Sequence, residues 1–172
     1  MALCFCAGAG LSTTQRALAQ PGLEYEVKAA FLLNFTKFIE WPATAFADAE
    51  SPFAICILGK DPFGRALDDI VAGEVVGARK LVVRRLSASP EPRACQVLFA
   101  DGAQRDTRRL LASLGPGVLT VGEGEGFLRD NGMIAFVLDN RRVRFDINQS
   151  AAERAALKLS SRLLNVARAV EK

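Results

Sequence analysis

The stretch from residue 133 to residue 147 constrains the fold more than any other. Two apolar runs, 133–138 and 141–147, flank Asp139-Asn140. A two-residue loop that tolerates positive φ, set between such runs, predicts an antiparallel hairpin. In its second arm Val143, Phe145 and Ile147 alternate with Arg142, Arg144 and Asp146. One face of the hairpin is therefore expected to be core and the other charged. A sheet with one apolar face needs a second layer to cover it.

The rest of the chain supplies that layer. Runs at 53–58, 80–86, 95–99 and 118–121 read as strands. Between them lie helical stretches at 62–71, opened by Asp61-Pro62, and at 104–114, closed by Gly115-Pro116. A longer helix is expected over 23–40, with Val27, Phe31, Asn34, Phe35 and Phe38 on its core face, stopped at Trp41-Pro42. A last amphipathic helix is expected over 149–170, where Ala156, Leu159, Leu163, Val166 and Val170 fall near helical spacing. The pattern is that of an α/β protein: a single domain with a mixed sheet of about five to six strands, a hairpin in its C-terminal half, and covering helices. The helices include long N- and C-terminal amphipathic ones. The chain has 172 residues, 50% of them hydrophobic, enough for one sizeable core.

Residues 1–19 are read as a signal peptide, shortened at its front, that ends in Ala17-Leu18-Ala19 before Gln20. Residues 20–172 then form the mature domain, and the expected location is periplasmic. Cleavage removes Cys4 and Cys6 and leaves Cys56 and Cys95, each in or beside a strand, in an oxidising compartment. That favours one disulfide between them. The alternative is two buried free thiols acting as small core residues.

Several chemistries are excluded. The chain has no histidine, so Ser-His-Asp and Cys-His catalysis and zinc-histidine sites are absent. A net charge of +3, from 22 basic and 19 acidic residues that are largely interspersed, argues against nucleic acid. Gly122-Glu123-Gly124-Glu125-Gly126 lacks the spacing of a phosphate loop and carries two carboxylates, so it reads as a turn. Asp68-Asp69 are consecutive, point apart and read as solvated. No catalytic residue, metal or cofactor is expected. Polar residues beside core positions, Asn34, Arg144, Asn148 and Ser160, suit a ligand pocket or a docking surface.

Several segments together resemble the YfiR family: Lys28 to Pro42, Ile55-Cys56-Ile57-Leu58-Gly59, Gly132-Met133-Ile134, Val143 to Asn148, and Leu157 to Leu164. The resemblance implies a periplasmic repressor of an inner-membrane diguanylate cyclase, released by an outer-membrane-associated lipoprotein, and so a role in cyclic di-GMP signalling and biofilm control. It also implies a dimer, and Cys56 and Cys95 look like the family's central disulfide. A second disulfide of some members has no counterpart here. The partner is expected to be the periplasmic domain of a diguanylate cyclase or a histidine kinase, met by Phe31, Asn34, Trp41, Arg142, Arg144, Asn148 and Ser160. A periplasmic small-molecule sensor, with its ligand near Phe31, Asn34, Asn148 and Ser160, is the alternative.

Overall fold

The structure, a computed structural model, describes residues 21–91, 93–100 and 106–172. The expected signal peptide lies outside them, as does the start of the helix expected over 104–114. In chain order the elements are α1 (Pro21–Phe38), β1 (Ile39–Glu40), β2 (Phe53–Leu58), α2 (Arg65–Val71), β3 (Val75–Val76), β4 (Arg79–Leu86), β5 (Val97–Ala100) and α3 (Thr107–Ser113). They continue with β6 (Leu119–Glu123), α4 (Glu125–Arg129), β7 (Ile134–Asp139), β8 (Arg142–Asn148), α5 (Gln149–Arg154), β9 (Lys158–Leu159), α6 (Ser161–Val166) and β10 (Ala169–Glu171).

Among the described residues eight strands form one mixed sheet in the order β10-β8-β7-β6-β5-β2-β4-β3. The central strands, β4, β2, β5, β6 and β7, are parallel, and β8 turns back antiparallel on β7. All six expected strands are in it. The two extra, β3 and β10, are edge pieces of two and three residues, too short for a pattern to register. On one face the main core gathers Phe53, Ile55 and Ile57 of β2 with Phe136 of β7, Phe145 and Ile147 of β8, and the undersides of α1, α2 and α5. The other face, under α3 and α4, packs around Cys56, Leu98 and Phe127. Cys56 and Cys95 are joined in a disulfide, with Cα atoms 5.9 Å apart across a separation of 39 residues.

The structure corrects four local expectations. The hairpin turn falls on Asn140-Arg141, both at positive φ (48° and 62°), with Asp139 opposite Arg142. This register sets Phe136 opposite Phe145 beneath the ring of Phe35. Asp61 accepts from the N–H groups of Phe63 and Gly64, closing a turn before α2 starts at Arg65. The long C-terminal helix is broken into α5, β9, α6 and β10. Ala156, at φ 60°, follows the last turn of α5, and Ser160 opens α6 by accepting from the Leu163 N–H. Near-helical spacing of apolar residues survives these breaks, which is why the pattern suggested one helix. Finally, Asp146, placed on the charged face, is buried because Arg168, just before β10, folds over it.

Candidate functional site

The first expected functional element, α1, turns a different face to the core than its periodicity suggested. Its buried residues are Lys28, Ala29, Leu32, Leu33, Phe35 and Thr36. Phe31 is half-buried, and Val27, Asn34 and Phe38 are exposed. The helix is apolar on nearly every side, so spacing alone could not choose the face that meets the sheet.

The surplus apolar side of α1 borders a continuous band. At one end Leu23, Val27 and Phe31 of α1 face Leu138 and Val143 of the hairpin across a groove of about 410 Å³, edged by Arg141 and Arg142. At the other end Phe31, Asn34 and Phe38 meet Phe145, Arg162 and Val166 around a smaller hollow of about 160 Å³. Phe31 belongs to both, held edge-on to Phe145 with ring centroids 5.3 Å apart. Leu23, Leu138 and Val166 are 62%, 58% and 57% exposed. Single exposed leucines are ordinary, but a contiguous apolar patch with a polar rim marks an interaction site.

The rim is basic. Among the described residues no ion pair involves Arg141, Arg142 or Arg162. Glu24, the one acid among the described residues that line the band, is held by Lys28 at 2.5 Å, and the same ammonium meets Glu123 of β6 at 2.7 Å. The Lys28 side chain is 4% exposed, and its Nζ lies 4.3 Å from the centre of the Tyr25 ring. Burial pulls the Lys28 pKa down, but the hydrogen bonds to Glu123 and Glu24 outweigh it, and the net shift is upward. Tyr25 is raised too, by burial first and then by the charge of Glu123. This cluster ties Glu24, which lines the groove, through Lys28 to β6 of the sheet.

Of the residues singled out in the sequence, Phe31, Asn34 and Arg142 come together in this band. The others do not. Trp41 donates from its indole N–H to the Gln96 carbonyl at 3.0 Å and stands edge-on to Phe53, a packing role. Asn148 caps α5 through the Ala151 N–H, and Ser160 caps α6. Arg144 projects from the β8 face opposite Phe145. Reasoning from sequence missed Leu138, Val166, Arg162 and Lys28. The usable signals were a leucine directly before a tight turn, Leu138, and a lysine, Lys28, set at the start of the apolar run of α1.

Among the described residues no group of His, Cys, Asp or Glu is arranged to hold a metal ion, and no helix is long and apolar enough to cross a membrane. The band therefore offers shape, apolar surface and positive charge. Two comparisons bear on what it serves. A family model described as YfiR/HmsC-like matches residues 25–168. A comparison with curated proteins found no match.

Proposed function

Because this chain belongs to the YfiR/HmsC-like family, whose members point to periplasmic regulation of cyclic di-GMP signalling, we propose that it represses an inner-membrane diguanylate cyclase by docking the cyclase's periplasmic domain on the band between α1, the β7–β8 hairpin and α6. One observation carries the choice of surface. Among the described residues six large hydrophobic side chains stand out as exposed; Leu23, Val27, Phe38, Leu138 and Val166 line this band, and only Val75 lies elsewhere. Unpaired Arg141, Arg142 and Arg162 give the surface its sign, so the partner carries acidic groups around an apolar centre. Repression needs only a higher affinity for the inactive state of the cyclase than for the active one.

The test is capture of the periplasmic domain of an inner-membrane diguanylate cyclase from the same cell by the mature chain. Val27→Glu and Leu138→Glu place a charge on exposed apolar positions, so the fold is retained while the centre of the interface is lost. Loss of such a centre costs about 2 kcal/mol or more, roughly a thirtyfold fall in affinity. Full binding by both variants would remove the band from the interface. Failure to capture any such domain would remove the cyclase. The groove of about 410 Å³ is also of small-ligand size, which supports a second reading in which an apolar ligand tunes docking. A ligand of that kind raises the unfolding temperature of the wild type and not of Leu138→Glu.

A further inference from the structure

At the far end of the sheet from the hairpin, β4 carries a bare edge. It is eight residues long and pairs with β2 along Leu81 to Leu86, while β3 covers only Arg79 and Lys80 on its other side. Among the described residues no strand lies outside residues 82–86. The direction of the backbone groups follows from two hydrogen bonds. The Leu81 N–H donates outward to the Glu74 carbonyl, and the Leu86 carbonyl accepts from Gly59, which follows β2, on the inner side. Backbone groups alternate sides along a strand, so the N–H and C=O of Val83 and Arg85 point outward. Two donors and two acceptors at that spacing match an extended peptide backbone, and such an edge is a template for strand addition.

The side chains decide what can add. Arg85 is tied back to α2 and the turn before it, with Asp68 and Asp61 each at 2.7 Å. Arg84, on the opposite face, is exposed and donates to the Ala94 carbonyl at 2.8 Å, and among the described residues no carboxylate neutralises it. A second copy of the chain is a poor occupant. The antiparallel register that joins Val83 of one copy to Arg85 of the other sets Arg84 directly opposite its own counterpart, with Cα atoms about 4.5 Å apart. The register that sets Val83 against Val83 brings Arg85 to Leu81, whose outward N–H is already taken. We infer that the outer edge of β4 receives an extended segment of another protein, with an acidic residue opposite Arg84 and apolar residues opposite Val82 and Leu86.

The proposal does not depend on the α1 band, and Leu138→Glu leaves it untouched. The probe is a capped peptide, Thr-Val-Thr-Glu-Thr-Val-Thr, against the same peptide with Lys in place of Glu. The wild type binds the acidic peptide at least tenfold more tightly, and the amides of Val83 and Arg85 become protected from hydrogen exchange. Arg84→Glu reverses the preference. Val83→Pro deletes an outward N–H that the β2–β4 ladder does not use, a position where an edge strand tolerates proline, and weakens binding tenfold or more. Should Val83→Pro fail to fold, N-methylation of the peptide backbone at the facing residues makes the same deletion from the ligand side. Equal binding of the Glu and Lys peptides, no binding of either, or binding that survives N-methylation would each overturn the inference.

Discussion

Replacing Lys28 with methionine removes the ammonium that joins α1 to β6 and keeps most of the apolar stem. Two charge-assisted hydrogen bonds, at 2.5 Å to Glu24 and 2.7 Å to Glu123, are lost. Bonds to charged groups contribute about 1.5–3 kcal/mol each, so the gross loss is about 3–6 kcal/mol. Two effects reduce it. The buried ammonium no longer has to be stripped of water. The carboxylates, 24% and 30% exposed, can rehydrate rather than stay unpaired. The expected net cost is about 2 kcal/mol at pH 7, read as a lower urea midpoint at unchanged slope and a fall of roughly 4–8 °C in Tm. The pH dependence separates this cause from a packing defect. Lys28 is raised above its ordinary value near 10.5, so in the alkaline range the unfolded chain releases its proton before the folded one does. Stability from the pair is therefore complete below that value and is lost as pH rises through the folded pKa. Tyr25, raised above 10.0, falls away in the same direction, so the comparison is made in a Tyr25→Phe background. There the wild-type lysine gives a steep alkaline loss and Lys28→Met a flatter one. Equal stability at pH 7, or identical alkaline slopes, would refute the assignment.

Two further perturbations test the frame around the site. Cys56→Ala with Cys95→Ala opens a loop closed over 39 residues, which the chain-entropy account values at about 4 kcal/mol; urea unfolding of the oxidised wild type against the double variant measures it, and reduced wild type should fall beside the variant. Gly132→Ala would set a Cβ 2.2 Å from the Phe127 ring and 2.7 Å from its carbonyl, an overpacking of about 1–3 kcal/mol. In a Phe127→Ala background the cost of Gly132→Ala should shrink, and a strictly additive double-mutant cycle would show that the ring is not the cause.

What the sequence made legible, and what it hid, follows from how local each feature is. The six long strands stand out because their apolar residues are buried on one or both faces of the sheet, and the disulfide because, with the expected leader set aside, Cys56 and Cys95 offer one pairing. The C-terminal segment misled because one break falls on a non-glycine residue at positive φ, Ala156, and its helices are opened by polar residues with local work. Asn148 and Ser160 each accept from the N–H three residues on, the signature of an N-cap, yet beside apolar neighbours they resembled pocket residues. Asp146 looked solvated because the arginine that buries it, Arg168, lies 22 residues away.

The site itself was hidden for a related reason. Between Ala29 and Phe38 only Asn34, Thr36 and Lys37 interrupt an apolar run, so α1 carries more hydrophobic surface than one sheet face can cover. Contact with Phe136 and Phe145 makes Phe35 core, and the same packing leaves Val27 and Phe38 outside. Phe31 lies between the two sides, touching Phe145 while lining both hollows. Had α1 been amphipathic in the ordinary sense, the exposed side would be polar and the band would not exist. Its all-round hydrophobicity is thus poor information about the fold and good information about where to look for binding: the residues that blurred the helix's core face are those that line the proposed docking surface.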